Sequence, residues 1–291
     1  MICLSAHLFG CDRQIPIPDI ESKPVLAINA LIDNRPFILA KLSTSESIQS
    51  FDTILPLTDA IITIQNGDNS FQSELISHKD GTYTLDLPKT DQKMDFLITA
   101  SYDGYPDISA TTTFYPKQSE IEIDTHAIIF SGAPTYEITV HLEDLKNTPN
   151  YYIFETIFHL TYKNGVKKSS KAHNFSLHPF VENKDIQVDN FELSRIFVSD
   201  TFFNGQTIKV PFFAQDTSLL FLQSDLVESC QMDIDIISVS KEVYHYFKAI
   251  ERFQNIGESN FSTTIQIPSN IKNGTGIFGT FQHFQKVFVL K

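Results

Sequence analysis

After the dipeptide Asp80-Gly81, the residues Tyr83, Leu85 and Leu87 alternate with Thr82, Thr84 and Asp86. A period of two sends successive side chains to opposite faces of an extended chain, so this stretch predicts a half-buried strand entered through a tight turn. The arrangement recurs. Val25–Ile32 is a short apolar run ended by Asp33-Asn34 and Pro36. Phe37–Leu42 follows, then Ala60–Ile64, closed by Asn66-Gly67-Asp68. Phe96–Ala100 leads to the turn Asp103-Gly104-Tyr105-Pro106, and Ala110–Phe114 comes after it. Short strands at this spacing, separated by Gly, Asn and Asp turns, predict a β-sandwich over residues 25–115.

Residues 116–291 read as a second β-rich domain. Tyr136–Leu142 alternates, Tyr151–Tyr162 is a long aromatic strand, and Phe191–Phe197, Thr207–Phe213 and Met232–Val239 are further strands, with Asn204-Gly205 a turn between them. One segment changes period. Val243, Tyr246, Phe247, Ile250 and Phe253 recur at helical spacing, so a helix is predicted over about 240–253. Ser240 is placed to cap it, Asn255 and Gly257 to end it, and the apolar stripe to pack on a sheet. The predicted fold is therefore mainly β: an Ig- or transthyretin-like sandwich, then a β-rich domain with one helix. The 25 Phe and 10 Tyr agree with that preference for strands.

Lys and Arg number 22 against 35 Asp and Glu, a formal charge of −13. With Lys167-Lys168 and Lys171 as its main basic group, the chain is not expected to bind nucleic acid. Its cysteines are Cys3, Cys11 and Cys230, which imply no disulfide framework. Cys11 follows Leu8-Phe9-Gly10, an apolar stretch ending in a small residue, and precedes a polar segment with Pro16, Pro18 and Pro24. Residues 1–11 are read as a truncated lipoprotein signal with Cys11 as the acylated residue, and 12–24 as an extended tether. Acylation anchors a chain without a spanning helix. The alternative is a chance cysteine in a cytosolic protein.

Familiar catalytic and phosphate-binding signatures are missing, including Gly-x-Ser-x-Gly, the phosphate-binding loop with its Lys, His-Glu-x-x-His and Cys-x-x-Cys. Gly274-Thr275-Gly276-Ile277-Phe278-Gly279 has the glycine density of a dinucleotide loop, but the segment after it is aromatic and β-like, so no phosphate is expected there. His173 with His178, and His141 with Glu143, are spacings a metal can use, as Asp233 with Asp235 is for acid–base chemistry. Loop histidines, a solvated strand face and a plain amphipathic strand are the preferred readings of them, and neither a metal nor a cofactor is expected. The doublets Phe202-Phe203 and Phe212-Phe213 should each send one ring to the core and leave the other for a surface.

Phe203-Asn204-Gly205-Gln206, Val239–Lys248 and Ile267–Gly279, in this order, resemble the DUF4249 family of uncharacterised Bacteroidetes lipoproteins. Asp80-Gly81-Thr82-Tyr83 and Gly104-Tyr105 resemble transthyretin-like or carboxypeptidase-regulatory sandwiches. The DUF4249 resemblance implies an outer-membrane lipoprotein that accompanies a TonB-dependent transporter, without catalytic residues to carry over. Two other readings stay open: a structural or adhesive surface lipoprotein, and a hydrolase with an unrecognised site. The family's glycine-rich motif maps onto Asn270, Gly274, Gly276, Phe278 and Gly279, expected to form a structural turn leading into a strand, with ligand contact as the alternative.

Overall fold

The computed structural model describes residues 23–33, 35, 37–45, 56–88, 92–115, 121–144, 146, 148–182, 194–203, 205–256 and 266–291. The fold is mainly β with a single α-helix among these residues, as expected. The first half contributes β1 (Leu26–Asp33), β2 (Phe37–Thr44), β3 (Ile61–Asn66), β4 (Gln72–Glu74), β5 (Ile76–Ser77), β6 (Thr82–Asp86), β7 (Met94–Ser101) and β8 (Ile108–Phe114). The second contributes β9 (Glu122–Phe130), β10 (Ala133–Glu143), β11 (Tyr151–Tyr162), β12 (Lys167–Lys171), β13 (His173–Phe175) and β14 (Arg195–Ser199). It then adds β15 (Thr207–Gln215), β16 (Val227–Val239), α1 (Lys241–Ile256) and β17 (Thr275–Val289). The predicted strand Phe191–Phe197 is found as β14, and its first three residues lie outside the described set. The exposed edge strand β9 was not anticipated, because its buried residues are too few to give an alternating signal.

One large sheet of nine strands runs β12-β11-β16-β17-β1-β2-β6-β5, with β14 beside β12 on the outer edge of β11. Two four-stranded sheets, β4-β3-β7-β8 and β13-β15-β10-β9, face it. Each encloses its own core. Ile28, Ala40, Ile62, Tyr83, Ile98 and Phe278 belong to the first, and Val140, Phe154, Phe158, Phe212, Ile234 and Ile236 to the second.

The strand that joins the two sandwiches is β17. Its first half pairs in parallel with β1, from Ala27↔Thr275 to Asp33↔Phe281. Its second half pairs antiparallel with β16, from Val239↔Phe281 to Gln231↔Val289. Along the face toward the small sheets, Phe278 enters the first core, while Phe284 and Phe288 pack against the second. Between them, on the same face, stand Thr280 and Gln282. The apolar alternation is thus broken at the seam between the cores.

Helix α1 lies on the opposite face of the large sheet. A third cluster forms beneath it from Ile153, Phe197, Val239, Val243, Tyr244 and Ile277. The buried arc is rotated from the predicted stripe. Val243, Tyr244 and Glu251 are buried, Tyr246, Phe247 and Ile250 are half-buried, and Phe253 is exposed. Tyr244 brings the larger ring, packed 5.1 Å from Tyr151 and 5.5 Å from Phe197, and Glu251 is drawn in by the Ser194 amide and by Arg195 of β14. Ser240 opens the helix, its carbonyl accepting from the Tyr244 amide at 3.0 Å. Its hydroxyl does not cap the first turn; it accepts from the Thr280 amide at 3.3 Å, tying the helix start to the seam. Cys230 is buried in the second core, and burial pushes its thiol up to about 11.

Candidate functional site

The glycine-rich motif forms a backbone lock. The Asn270 side-chain amide donates to the Phe278 carbonyl at 2.8 Å and accepts from the Phe278 amide at 2.9 Å, imitating a neighbouring strand. Lys272 exchanges backbone hydrogen bonds with Ser109 on β8. A Cβ on Gly274 would stand 2.6 Å from the Leu26 carbonyl oxygen. One on Gly276, at φ +109°, would stand 2.0 Å from that of Ile28, and one on Gly279 would stand 2.2 Å from Val243 on α1. Phe278 is fully buried. Each of the five motif residues therefore has a packing or hydrogen-bonding role, which holds the start of β17 in position.

Beside that lock the two sandwiches leave a cleft of about 610 Å³. Its lining comes from five places: Asp95 on β7; Thr111, Thr112, Thr113 and Tyr115 at the end of β8; Pro149, Asn150 and Tyr151; Ser238 through Glu242; and Thr280 and Gln282 on β17. Thr112 is 5% exposed and its hydroxyl has no hydrogen-bond partner. Gln282 is 6% exposed; its amide nitrogen donates to the Tyr115 carbonyl, and its amide oxygen is unpartnered. A buried polar atom left unpaired costs about 1–3 kcal/mol, so two at one cleft call for an explanation. Asp95 accepts from the Thr113 hydroxyl at 2.6 Å.

Behind Asn150 lies a buried acidic pair. Asp200 accepts from the Asn150 amide at 3.0 Å; Asp144 accepts from the Asn150 side chain at 2.5 Å and from the Gly205 amide at 2.6 Å. Burial raises both carboxyls above the ordinary range, and Asp144 adds to the rise at Asp200. The phenol of Tyr151 is raised by burial and by Asp200. Glu182 goes the other way. Burial alone would raise it, but Lys248 at 2.7 Å and the Ser199 hydroxyl outweigh that and hold it low.

The sign at Asp200 gives a test. Its folded pKa lies above the unfolded one, so the unfolded chain loses its proton first as pH rises, and stability falls through that window. Below the unfolded value, 3.8, both states hold the proton and the effect vanishes. Asp200→Asn keeps an oxygen for the Asn150 amide. It is expected to be more stable than the parent at pH 7–8, with the difference closing below pH ~4. Urea unfolding midpoints across this range would show it; an advantage that grows in acid would refute the assignment.

The other sequence candidates separate. His141 bonds Asp124 across the strand pair at 2.8 Å rather than Glu143. His173 stacks on Phe175, and His178 meets Phe180 edge-on. Asp233 and Asp235 are buried on the outer face of the large sheet, Asp233 beside His159 at 3.3 Å and Asp235 beside His283 at 2.7 Å. No group of three or more His, Cys, Asp or Glu placed to hold a metal occurs among the described residues. Phe212 is core, while Phe213 joins Phe130 and Phe175 in an aromatic cluster on the outer face of its sheet, with centroids 5.1–5.3 Å apart. Cys11 lies outside the described residues, and among those described no helix is long and apolar enough to cross a membrane. The sequence reading missed the cleft; its one legible sign was Thr280 and Gln282 interrupting a strand that otherwise carries Phe278, Phe284 and Phe288 on that face.

The family profile described as Domain of unknown function (DUF4249) matches residues 13–286. No curated protein matches the sequence. Among solved structures, the chain is similar to a DUF4785 family protein from Legionella pneumophila, at 14% identity and a TM-score of 0.25, covering 76% of this chain and 54% of that one. It is also similar to the full-length major pilin SpaD from Corynebacterium diphtheriae, at 13% identity and a TM-score of 0.23, covering 73% and 60%. The MSCRAMM ACE of Enterococcus faecalis gives 9% identity and a TM-score of 0.20, covering 75% and 88%. At these scores the likenesses carry no function across.

Proposed function

Because the chain belongs to the DUF4249 family, a family of unknown function, we propose that it is a non-enzymatic, lipid-anchored binding protein of the outer membrane whose ligand site is the seam cleft. The observation that carries this reading is the pair of unpartnered buried polar atoms, Thr112 Oγ1 and Gln282 Oε1, at one cleft of about 610 Å³. That volume falls in the range of small-molecule sites, which hold a few placed polar groups. The anchor rests on Leu8-Phe9-Gly10-Cys11 and the proline-containing tether after it. Delivery of the captured ligand to a TonB-dependent transporter is the role that fits such a position.

The test is metabolic labelling with a fatty acid in cells that export the protein behind a lipoprotein signal peptide, followed by gentle solubilisation. We expect label on the parent, none on Cys11→Ala, and co-purification of the labelled protein with an outer-membrane barrel. Equal labelling of both proteins would remove the anchor, and isolation as a free monomer would remove the transporter role. The cluster of Phe130, Phe175 and Phe213 supports a second reading, an adhesive surface lipoprotein. That reading gains if binding to surfaces survives loss of the cleft and fails when these rings are removed.

A further inference from the structure

We propose that the seam cleft takes a neutral, hydroxyl-rich ligand, a short oligosaccharide; this rests on the cleft being the binding site. The backbone of β8 supplies part of the argument. Ser109 turns its N–H and C=O away from β7, toward Lys272. Strand alternation then points the backbone groups of Thr111 and Thr113 the same way. Thr111 O accepts from the Asn270 side chain at 3.4 Å, and Tyr115 O accepts from Gln282. Thr113 stands between them, its peptide groups directed at the cleft. Just behind this wall the Thr112 hydroxyl and the Gln282 amide oxygen are closed to solvent and unpartnered, so a small side-chain shift on binding would bring a donor and an acceptor to the ligand. A sugar hydroxyl is both donor and acceptor, and so is suited to such a wall.

Charge and shape narrow the class. The lining holds one ammonium, Lys241, against two carboxylates, Asp95 and Glu242, which disfavours an anion in spite of the nearby helix start. Asp95 already accepts from Thr113, which leaves it less free to bind a cation. Tyr115 and Tyr151 add ring surface of the kind that packs on sugar faces. An extended peptide is the competing occupant. Adding a strand needs a run of free edge and apolar pockets for alternate side chains. Here Asn270 and Gln282 already occupy the edge on either side of Thr113, and Pro149 and Val239 are the lining's aliphatic residues.

The experiment is to probe the full chain against an array of neutral gluco-, manno-, galacto-, xylo- and N-acetylglucosamine oligomers and a parallel array of peptides, then titrate the best hit. Thr112→Val is isosteric and removes only the unpartnered hydroxyl. We expect oligosaccharide binding in the parent, weakened about tenfold in Thr112→Val, with an equal or higher Tm. A purely structural threonine would leave binding unchanged. Should Thr112→Val fail to fold, Tyr115→Ala serves as the second variant, with the same loss expected. Peptide binding alone overturns the ligand class and spares the cleft as a site. Oligosaccharide binding that the folded variants leave intact moves the site elsewhere. No binding of either probe to the folded parent overturns both readings.

Discussion

Gly276→Ala is expected to destabilise the fold by about 3 kcal/mol or more, a drop in Tm on the order of 10 °C. Two costs combine. At φ +109° an alanine is strained wherever it sits. Here its Cβ would also stand 2.0 Å from the Ile28 oxygen and 2.8 Å from the Ile28 carbonyl carbon. Those atoms belong to β1, which pairs with β17 at Ile28↔Gly276, so the clash cannot relax without opening the parallel pairing. Gly104 provides the control. It sits at φ +81° with nothing within 4 Å of a built Cβ, so Gly104→Ala carries the conformational cost alone, about 1 kcal/mol. Urea unfolding of both variants, followed by circular dichroism, separates the terms. Equal losses would show that β1 does not hold β17 as closely as this.

The same lock shows where sequence reasoning reaches its limit. Glycines at 274, 276 and 279 announce close backbone approach, and the strand after them is visible in its alternation. Their partners are not visible. Leu26, Ile28, Ile108 and Val243 come from β1, β8 and α1, and nothing local couples those segments to residue 276. Strand periodicity works for Tyr83–Leu87 and for the Phe212-Phe213 doublet because one face is dry and the other is not. It works less well on α1, where the buried arc is set by a Tyr244 ring and a Glu251 carboxylate rather than by aliphatic residues alone. The cleft is the least legible feature. It is assembled from segments that are each ordinary as sequence, and its buried polar atoms become anomalous only when their surroundings are known. Asp233 and Asp235 teach the converse. Both alternate as for an amphipathic strand with a wet face, yet both are buried, because His159, His283, Gln231 and Gln285 close over them.

The second large effect concerns the far end of that helix. Arg195 on β14 bonds Glu155 of β11 through Nε and reaches Glu251 of α1 at 3.4 Å, with its guanidinium 5.3 Å from the Phe247 ring. The Glu251 side chain is 4% exposed and that of Glu155 10%. Arg195→Met fills similar volume and strands both carboxylates. Lys171 at 3.3 Å and the Ser194 amide at 3.0 Å compensate only in part, so a loss of about 3 kcal/mol is expected, the low end for breaking a buried pair. A second variant separates this from lost packing. Adding Glu251→Gln to Arg195→Met should restore part of the stability, since contacting residues are not additive. If Arg195→Met costs under about 1 kcal/mol, or adding Glu251→Gln restores nothing, the ion cluster does not fasten the helix. A helix loosened there would also exchange its amides faster from Glu251 back toward Glu242, carrying the disturbance to the wall of the cleft.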